Sequence, residues 1–127
     1  MHDQDFAIVR ALVPVAWADG EFAEREKETL EALLDAFGAD DVERANIRAF
    51  AEVQRGIDDI DLQALSTDDR RVLMHHAVLL SWADGDQHEK ELSFLHELAK
   101  KLHIPDDESK AIMDASTARA KKFLNLL

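Results

Sequence analysis

Two acidic turns of nearly identical sequence are the part of this chain whose residue types best suit a chemical site. Trp-Ala-Asp-Gly-Glu occupies residues 17–21, and Trp-Ala-Asp-Gly-Asp occupies residues 82–86. The copies are 65 positions apart, and the same offset relates Glu26 to Glu91 and the leucines that follow them. A constant offset over about 20 residues predicts a duplicated structural unit, in which two matching sites can meet across a pseudo-two-fold axis.

The carboxylates of these turns have both a structural and a chemical interpretation. Asp19 and Asp84 each follow a predicted helix, and an anion at the negative end of a helix is disfavoured by up to about 1 kcal/mol. An unfavourable placement that occurs twice favours a functional role. Glu26 and Glu91 have a local explanation, because the third position of a helix lets a carboxylate accept a backbone N–H. The sequence therefore leaves two possibilities open, turn and capping residues alone or a cation site.

The spacing Asp-Gly-acidic followed by Glu copies the second half of an EF-hand calcium loop, in which glycine makes the turn and the last Glu binds through both oxygens. The first half is absent, since Val15 and Trp17 stand where oxygen ligands are needed. One turn is too poor in oxygen to hold calcium, but two turns together can form a hard-cation site for calcium, magnesium or manganese rather than zinc. The candidate ligands are Asp19, Glu26, Asp84 and Glu91, flanked by Glu21 and Asp86.

Helices must position these turns, because only four glycines and two prolines interrupt the chain and apolar residues recur at three- and four-residue steps. We expect an all-α, compact bundle of about seven helices, formed by a single domain over residues 1–127. We expect Val53 and Leu92 to lie on the apolar faces of their helices. We expect Gly38 to end the second helix. The helices are predicted at about 5–18, 23–37, 41–56, 59–65, 66–83, 92–102 and 105–123, and the repeat copies at about 6–38 and 71–103.

Charge and composition exclude several classes of partner. The net charge of −12 repels phosphate backbones and anionic lipid surfaces, so we expect no nucleic-acid binding and no membrane insertion. Cations and basic proteins are the compatible ligands. The absence of cysteine suits a reducing compartment, and no secretory signal or membrane span is recognisable, so a cytoplasmic protein is expected.

Other residue patterns favour structural roles. The histidines include no His-Glu-x-x-His zinc motif, since Lys100 stands where the second histidine is required after His96. Trp17 and Trp82 are expected to pack in the core of the two copies. Arg70 and Arg71 are expected on solvated helix faces. No phosphate-binding loop or catalytic triad is present, so the sequence predicts a protein that is not an enzyme.

The doubled Ala-Asp-Gly-acidic pattern, each copy followed by Glu and a Leu-rich helix, resembles the TerB-like domain of tellurite-resistance proteins, which is related to the N-terminal part of membrane-anchored J-domain co-chaperones. The resemblance covers about residues 6–102. It implies a compact seven-helix bundle with a clustered acidic metal site in bacterial stress-response and metal-resistance systems. The acidic positions of the family fall on the ligand set named above. Ala23 and His88 replace the usual capping Ser or Thr, so both helix starts are expected to be looser.

The sequence thus predicts a cation-binding helical adaptor or sensor with a protein partner, in a stress or tellurite-resistance pathway. The alternative is a metal-independent interaction module that docks a basic partner through its acidic surface. Both functions use the same carboxylates, so the sequence does not separate them. It also leaves open the metal, the partner and the oligomeric state.

Overall fold

A computed structural model describes residues 1–18, 20–82, 87 and 89–125, with side chains to Lys122. These residues form α-helices and no β-strand, which confirms the predicted all-α class. Two short 3₁₀ turns, Ile57–Asp59 and Leu62–Ala64, connect the third and fourth helices. None of the helices described is both long enough and apolar enough to cross a bilayer. The six helices are α1 (Asp3–Ala16), α2 (Glu24–Ala36), α3 (Asp41–Ala51), α4 (Thr67–Ser81), α5 (Glu89–Lys101) and α6 (Asp106–Asn125).

Helices α1 and α4 form the centre of the molecule. They pack on each other, and then α2 and α3 pack on α1 while α5 and α6 pack on α4. Both central helices carry apolar residues on more than one face, which is typical of a helix buried between neighbours. Leu12 and Val13 of α1 and Leu73 and Met74 of α4 are completely buried.

Side-chain caps fix the starts of two helices. Asp40 accepts the N–H of Glu43 at 2.8 Å, and the Glu43 carboxylate accepts the N–H of Asp40 at 2.9 Å. Ser66 and Asp69 make the same reciprocal pair at the start of α4. Such capping boxes satisfy backbone donors that have no partner within the helix. The predicted start of α4 at Ser66 and Thr67 is therefore confirmed.

The segment between α3 and α4 differs from the prediction. Helix α3 ends at Ala51 rather than near Gly56, so Val53 lies beyond it and is 58% exposed. The predicted short helix at 59–65 is replaced by the two 3₁₀ turns. Aspartates in this segment bind nearby backbone N–H groups, Asp59 that of Gly56 and Asp61 that of Gln63, which competes with helical hydrogen bonds. The described residues thus contain six α-helices rather than seven.

The helix bounds coincide at the 65-residue offset. Helices α2 and α5 span 24–36 and 89–101, and α3 and α6 begin at residues 41 and 106. The C-terminal ends of α2 and α5 also match, because Gly38 and His103 both have positive φ, 73° and 58°. Both turns have the same backbone hydrogen bonds, in which the following N–H reaches back five residues into the helix. The two halves differ in α6, which is nine residues longer than α3 (20 against 11).

Candidate functional site

Glu26 is a buried carboxylate at the start of α2. It is the third residue of the helix, its exposed fraction is 6%, and its Oε1 accepts the backbone N–H of Ala23 at 3.1 Å. Ala23 occupies the N-cap without a side-chain hydrogen bond, because its methyl group cannot accept one. The predicted position of Glu26 in the helix is confirmed. The carboxylate compensates for the missing cap because it binds a free N–H at the positive end of the helix.

Glu91 stands at the same position in α5. It is the third residue of that helix and is 5% exposed. Glu26 and Glu91 are the two buried carboxylates among the residues described. Their burial at the same register distinguishes these two glutamates from the exposed acidic residues of the described chain, and makes them its candidates for ligands.

A cleft of about 470 Å³ lies where the first acidic turn meets α5. Ala18, which directly precedes Asp19, lines this cleft together with Glu89 and Lys90 of the first turn of α5. Ser93, Phe94 and Glu97 continue the wall one and two turns later. The fold therefore brings the end of α1 next to the beginning of α5, which is the neighbourhood that a site shared between the two turns requires.

Part of the predicted ligand set lies outside the described residues. Asp19, Asp84 and Asp86 belong to the segments that the structure does not describe. Glu21, which flanks the first turn, is exposed. Within the described ranges, no three His, Asp or Glu side chains are grouped so that they can hold a metal ion. The proximity of Asp19 and Asp84 stays a prediction.

The two tryptophans pack against the hydrophobic core, as predicted. Trp17 donates its indole N–H to the carbonyl oxygen of Ala51 at 3.0 Å, and its ring meets Phe22 edge-on at 5.7 Å. Trp82 lies beneath the ammonium group of Lys121 at 5.3 Å. Its indole nitrogen is buried without a hydrogen-bond partner in the described part of the molecule.

Arg70 has a structural role that the sequence did not predict. Instead of lying on a solvated face, its guanidinium donates to the carbonyl oxygens of Leu62, Leu65 and Leu102 at 3.0–3.2 Å. It thereby joins the segment after α3 to the end of α5. Arg71 also differs from the prediction, because it forms a two-point ion pair with Glu108 of α6. The sequence carries no local signal for either role, since the three carbonyls lie outside α4 and Glu108 lies on α6.

The adjacent histidines of α4 have separate environments. His75 Nδ1 lies 2.6 Å from the hydroxyl of Ser116 on α6. The ring of His76 meets Phe37 edge-on at 6.0 Å. Burial lowers the pKa of His76 below its ordinary value of 6.5, and the neighbouring His75 lowers this pKa further. The two side chains thus pack on different elements.

Comparison with known proteins identifies the family of the chain. No curated protein and no solved structure is significantly similar to it. The model of the family described as "Protein of unknown function (DUF533)" matches residues 1–116, which is nearly the whole chain. With its acidic turns and its all-helical fold, the chain therefore belongs to the DUF533 family, which is a TerB-like family.

Proposed function

We propose that this protein is a cation-binding adaptor or sensor domain, in which a hard divalent cation is held by the acidic turns of both repeats and by the glutamates that follow them. The observation that carries the proposal is the matched burial of Glu26 and Glu91, each the third residue of its helix. The proposal includes an internal duplication, which is supported by the coincident helix bounds and by the equivalent ends of α2 and α5.

The donor chemistry of these residues fits a hard cation. A carboxylate has two oxygens with about four acceptor positions, so accepting the N–H of Ala23 is compatible with ligation. Glu26 and Glu91 would supply two ligands, and Asp19 and Asp84 would complete the protein part of the shell. Calcium, magnesium and manganese prefer such oxygen donors, whereas zinc prefers nitrogen and sulfur.

A biological role in a bacterial stress or tellurite-resistance pathway follows from the proposed relation to tellurite-resistance proteins. In such a role the cation would change how the domain engages a protein partner. The cleft between Ala18 and Glu89 supports this coupling, because both chain segments lie directly beside an acidic turn. A cation that draws the turns together would alter the surface around the cleft.

A metal-independent function is the second candidate, and the distribution of charge favours it. Several carboxylates of α2 and α3 are exposed, among them Glu24, Glu28 and Asp41, in a chain of net charge −12. Such a surface attracts a basic partner through long-range forces that act over about 8 Å at physiological ionic strength. This interaction would need no cation.

Calorimetric titration separates the two functions. Chelator-treated protein is titrated with calcium, magnesium, manganese and zinc, and the cation function predicts saturable binding of at least one of the first three. Glu26→Gln and Glu91→Gln should abolish this binding because they remove ligand charge without changing side-chain size. Glu24→Gln, on the exposed first residue of α2, is the matched control and should bind normally. Absence of binding by every metal would favour the acidic docking surface.

A further inference from the structure

A long groove lies between α5 and α6 and shares no lining residue with the cleft beside Ala18. Its volume is about 760 Å³, and its α6 wall is formed by residues spaced three or four apart from Asp106 to Lys121. Fifteen residue steps at 1.5 Å correspond to about 22 Å of helix. The groove therefore has the length of a helix of about four turns.

The equivalent groove in the first half of the molecule, between α2 and α3, is smaller. Its volume is about 500 Å³. Phe22 lines it and packs edge-on against Trp17. Glu31 and Arg48 bridge the two helices with hydrogen bonds of 2.7 and 2.9 Å. An aromatic side chain and an ion pair thus help to close this groove.

Neither closing feature is present at the matching positions of the α5–α6 groove. Gln87 stands 65 positions after Phe22, and its amide donates to the hydroxyl of Ser81 at 2.8 Å. His96 and Met113 replace the two members of the ion pair, so they make no salt bridge between α5 and α6. The larger volume of this groove goes together with these replacements and with the greater length of α6.

The lining of the α5–α6 groove combines apolar and basic residues. Leu92, predicted on the apolar face of its helix, is 36% exposed and lines the groove. Met113 lies opposite on α6. The charged residues of the lining are Lys100, Lys110, Lys121, Asp106 and Asp114. Two of them form an ion pair, because Asp114 lies 3.6 Å from Lys110. Its charged lining therefore carries one net positive charge, in a chain of net charge −12.

We propose that the α5–α6 groove binds an acidic amphipathic helix of a protein partner. Apolar side chains of that helix would pack on Leu92 and Met113, at the spacing by which helices are recognised in grooves. The carboxylates of the partner helix would lie near Lys100 and Lys121. This complementarity of charge favours an acidic partner helix over a basic one. The interaction requires no cation, so it is distinct from the proposed function.

A display library of helical peptides tests this proposal. Peptides of about 16 residues, the length of the groove, carry fixed apolar positions at i, i+3, i+4 and i+7 and random residues elsewhere. The purified full chain, in chelator, should select sequences enriched in Asp and Glu. A synthetic peptide from the selected set is then titrated by fluorescence anisotropy.

Matched variants assign the binding to the groove. Leu92→Asp should weaken binding of the acidic peptide by about tenfold or more, as expected for a central apolar contact. Val42→Asp, at a valine of α3 that is 78% exposed, should leave binding unchanged. The double variant Lys100→Glu, Lys121→Glu should also weaken binding, whereas Lys27→Glu, in the α2–α3 groove, should not.

Three results would overturn the proposal. The first is selection of no peptides, or of basic rather than acidic ones. The second is equal affinity of wild type and Leu92→Asp for the acidic peptide. The third is self-association of the wild-type chain in sedimentation velocity that Leu92→Asp abolishes, since the groove would then hold a second copy. Circular dichroism of each variant confirms that the helices are intact.

Discussion

Trp17 and Ala51 are joined by a hydrogen bond of 3.0 Å from the indole N–H to the backbone carbonyl oxygen. The bond is possible because α3 ends at Ala51. The last carbonyl oxygens of a helix accept no N–H from the same helix, so the oxygen of Ala51 is available to Trp17. The position 65 residues later is Ser116, which lies inside the longer α6. Its carbonyl therefore belongs to a continuing helix, and the buried indole N–H of Trp82 has no partner among the described residues.

Replacing each tryptophan by phenylalanine should reveal this difference. Trp17→Phe removes a donor and leaves the Ala51 carbonyl unpaired, so it should cost about 1 kcal/mol more than Trp82→Phe does. Trp82→Phe removes a donor that has no partner among the described residues. Urea unfolding of both variants measures the difference. Equal losses of unfolding free energy would contradict the hydrogen-bond account.

The left-handed residues that end α2 and α5 give a second matched pair. Gly38 adopts φ 73° at no steric cost, whereas His103 adopts φ 58° with a side chain. His103→Gly should therefore stabilise the fold by up to about 1 kcal/mol, and Gly38→Ala should destabilise it by about 1 kcal/mol. No side chain obstructs a Cβ at Gly38, so the loss would be conformational. Thermal unfolding checks both signs, and a destabilised His103→Gly would be inconsistent with this explanation.

Arg70 and Arg71 are neighbours with different expected contributions to stability. Arg70→Met leaves the carbonyls of Leu62, Leu65 and Leu102 without their charged donor, and should lower the free energy of unfolding by about 2–3 kcal/mol. Arg71→Met breaks a partly exposed ion pair with Glu108 and should cost less. Denaturant titration of the two variants compares them directly. The reverse order would show that Arg70 does not hold the segment after α3.

His76 should make stability depend on pH. Its folded pKa is lowered, so the unfolded chain takes up a proton first as pH falls below 6.5. The contribution of neutral His76 to the free energy of unfolding is therefore fully present above pH 6.5, and it is lost as the pH falls through the folded pKa. His76→Phe should reduce this acid loss. Phe37→Leu removes the ring contact but keeps the imidazole, so it should retain the loss. Urea unfolding at about pH 7.5 and about pH 5.5 distinguishes the two variants.

Much of the fold is predictable from local sequence signals. Gly38 marks the end of α2, Ser66 and Asp69 mark the start of α4, and the position of Glu26 follows from its spacing to Ala23. These features depend on backbone groups within a few residues. The end of α3 was predicted five residues too late, and in the segment that follows it Asp59 and Asp61 accept backbone N–H groups outside a helix.

The candidate site is less predictable, because its properties depend on contacts between distant elements. The burial of Glu91, the three acceptors of Arg70 and the opening of the α5–α6 groove all arise from packing. One signal was nevertheless present in the sequence. Comparing residues at the 65-position offset shows Phe22 replaced by Gln87 and Arg48 by Met113, which indicates that the two grooves differ.

The central claim is that a cation stabilises the fold through Glu26 and Glu91, and the free energy of unfolding tests it most directly. Chelator-treated protein is unfolded with urea in excess chelator and in calcium, magnesium or manganese at about 100 times its dissociation constant, where binding should add about 2.7 kcal/mol. Glu26→Gln, Glu91→Gln and the pair Asp19→Asn, Asp84→Asn should lose this gain, while Glu24→Gln should keep it. An unfolding free energy that is the same in chelator and in all three metals would contradict the claim.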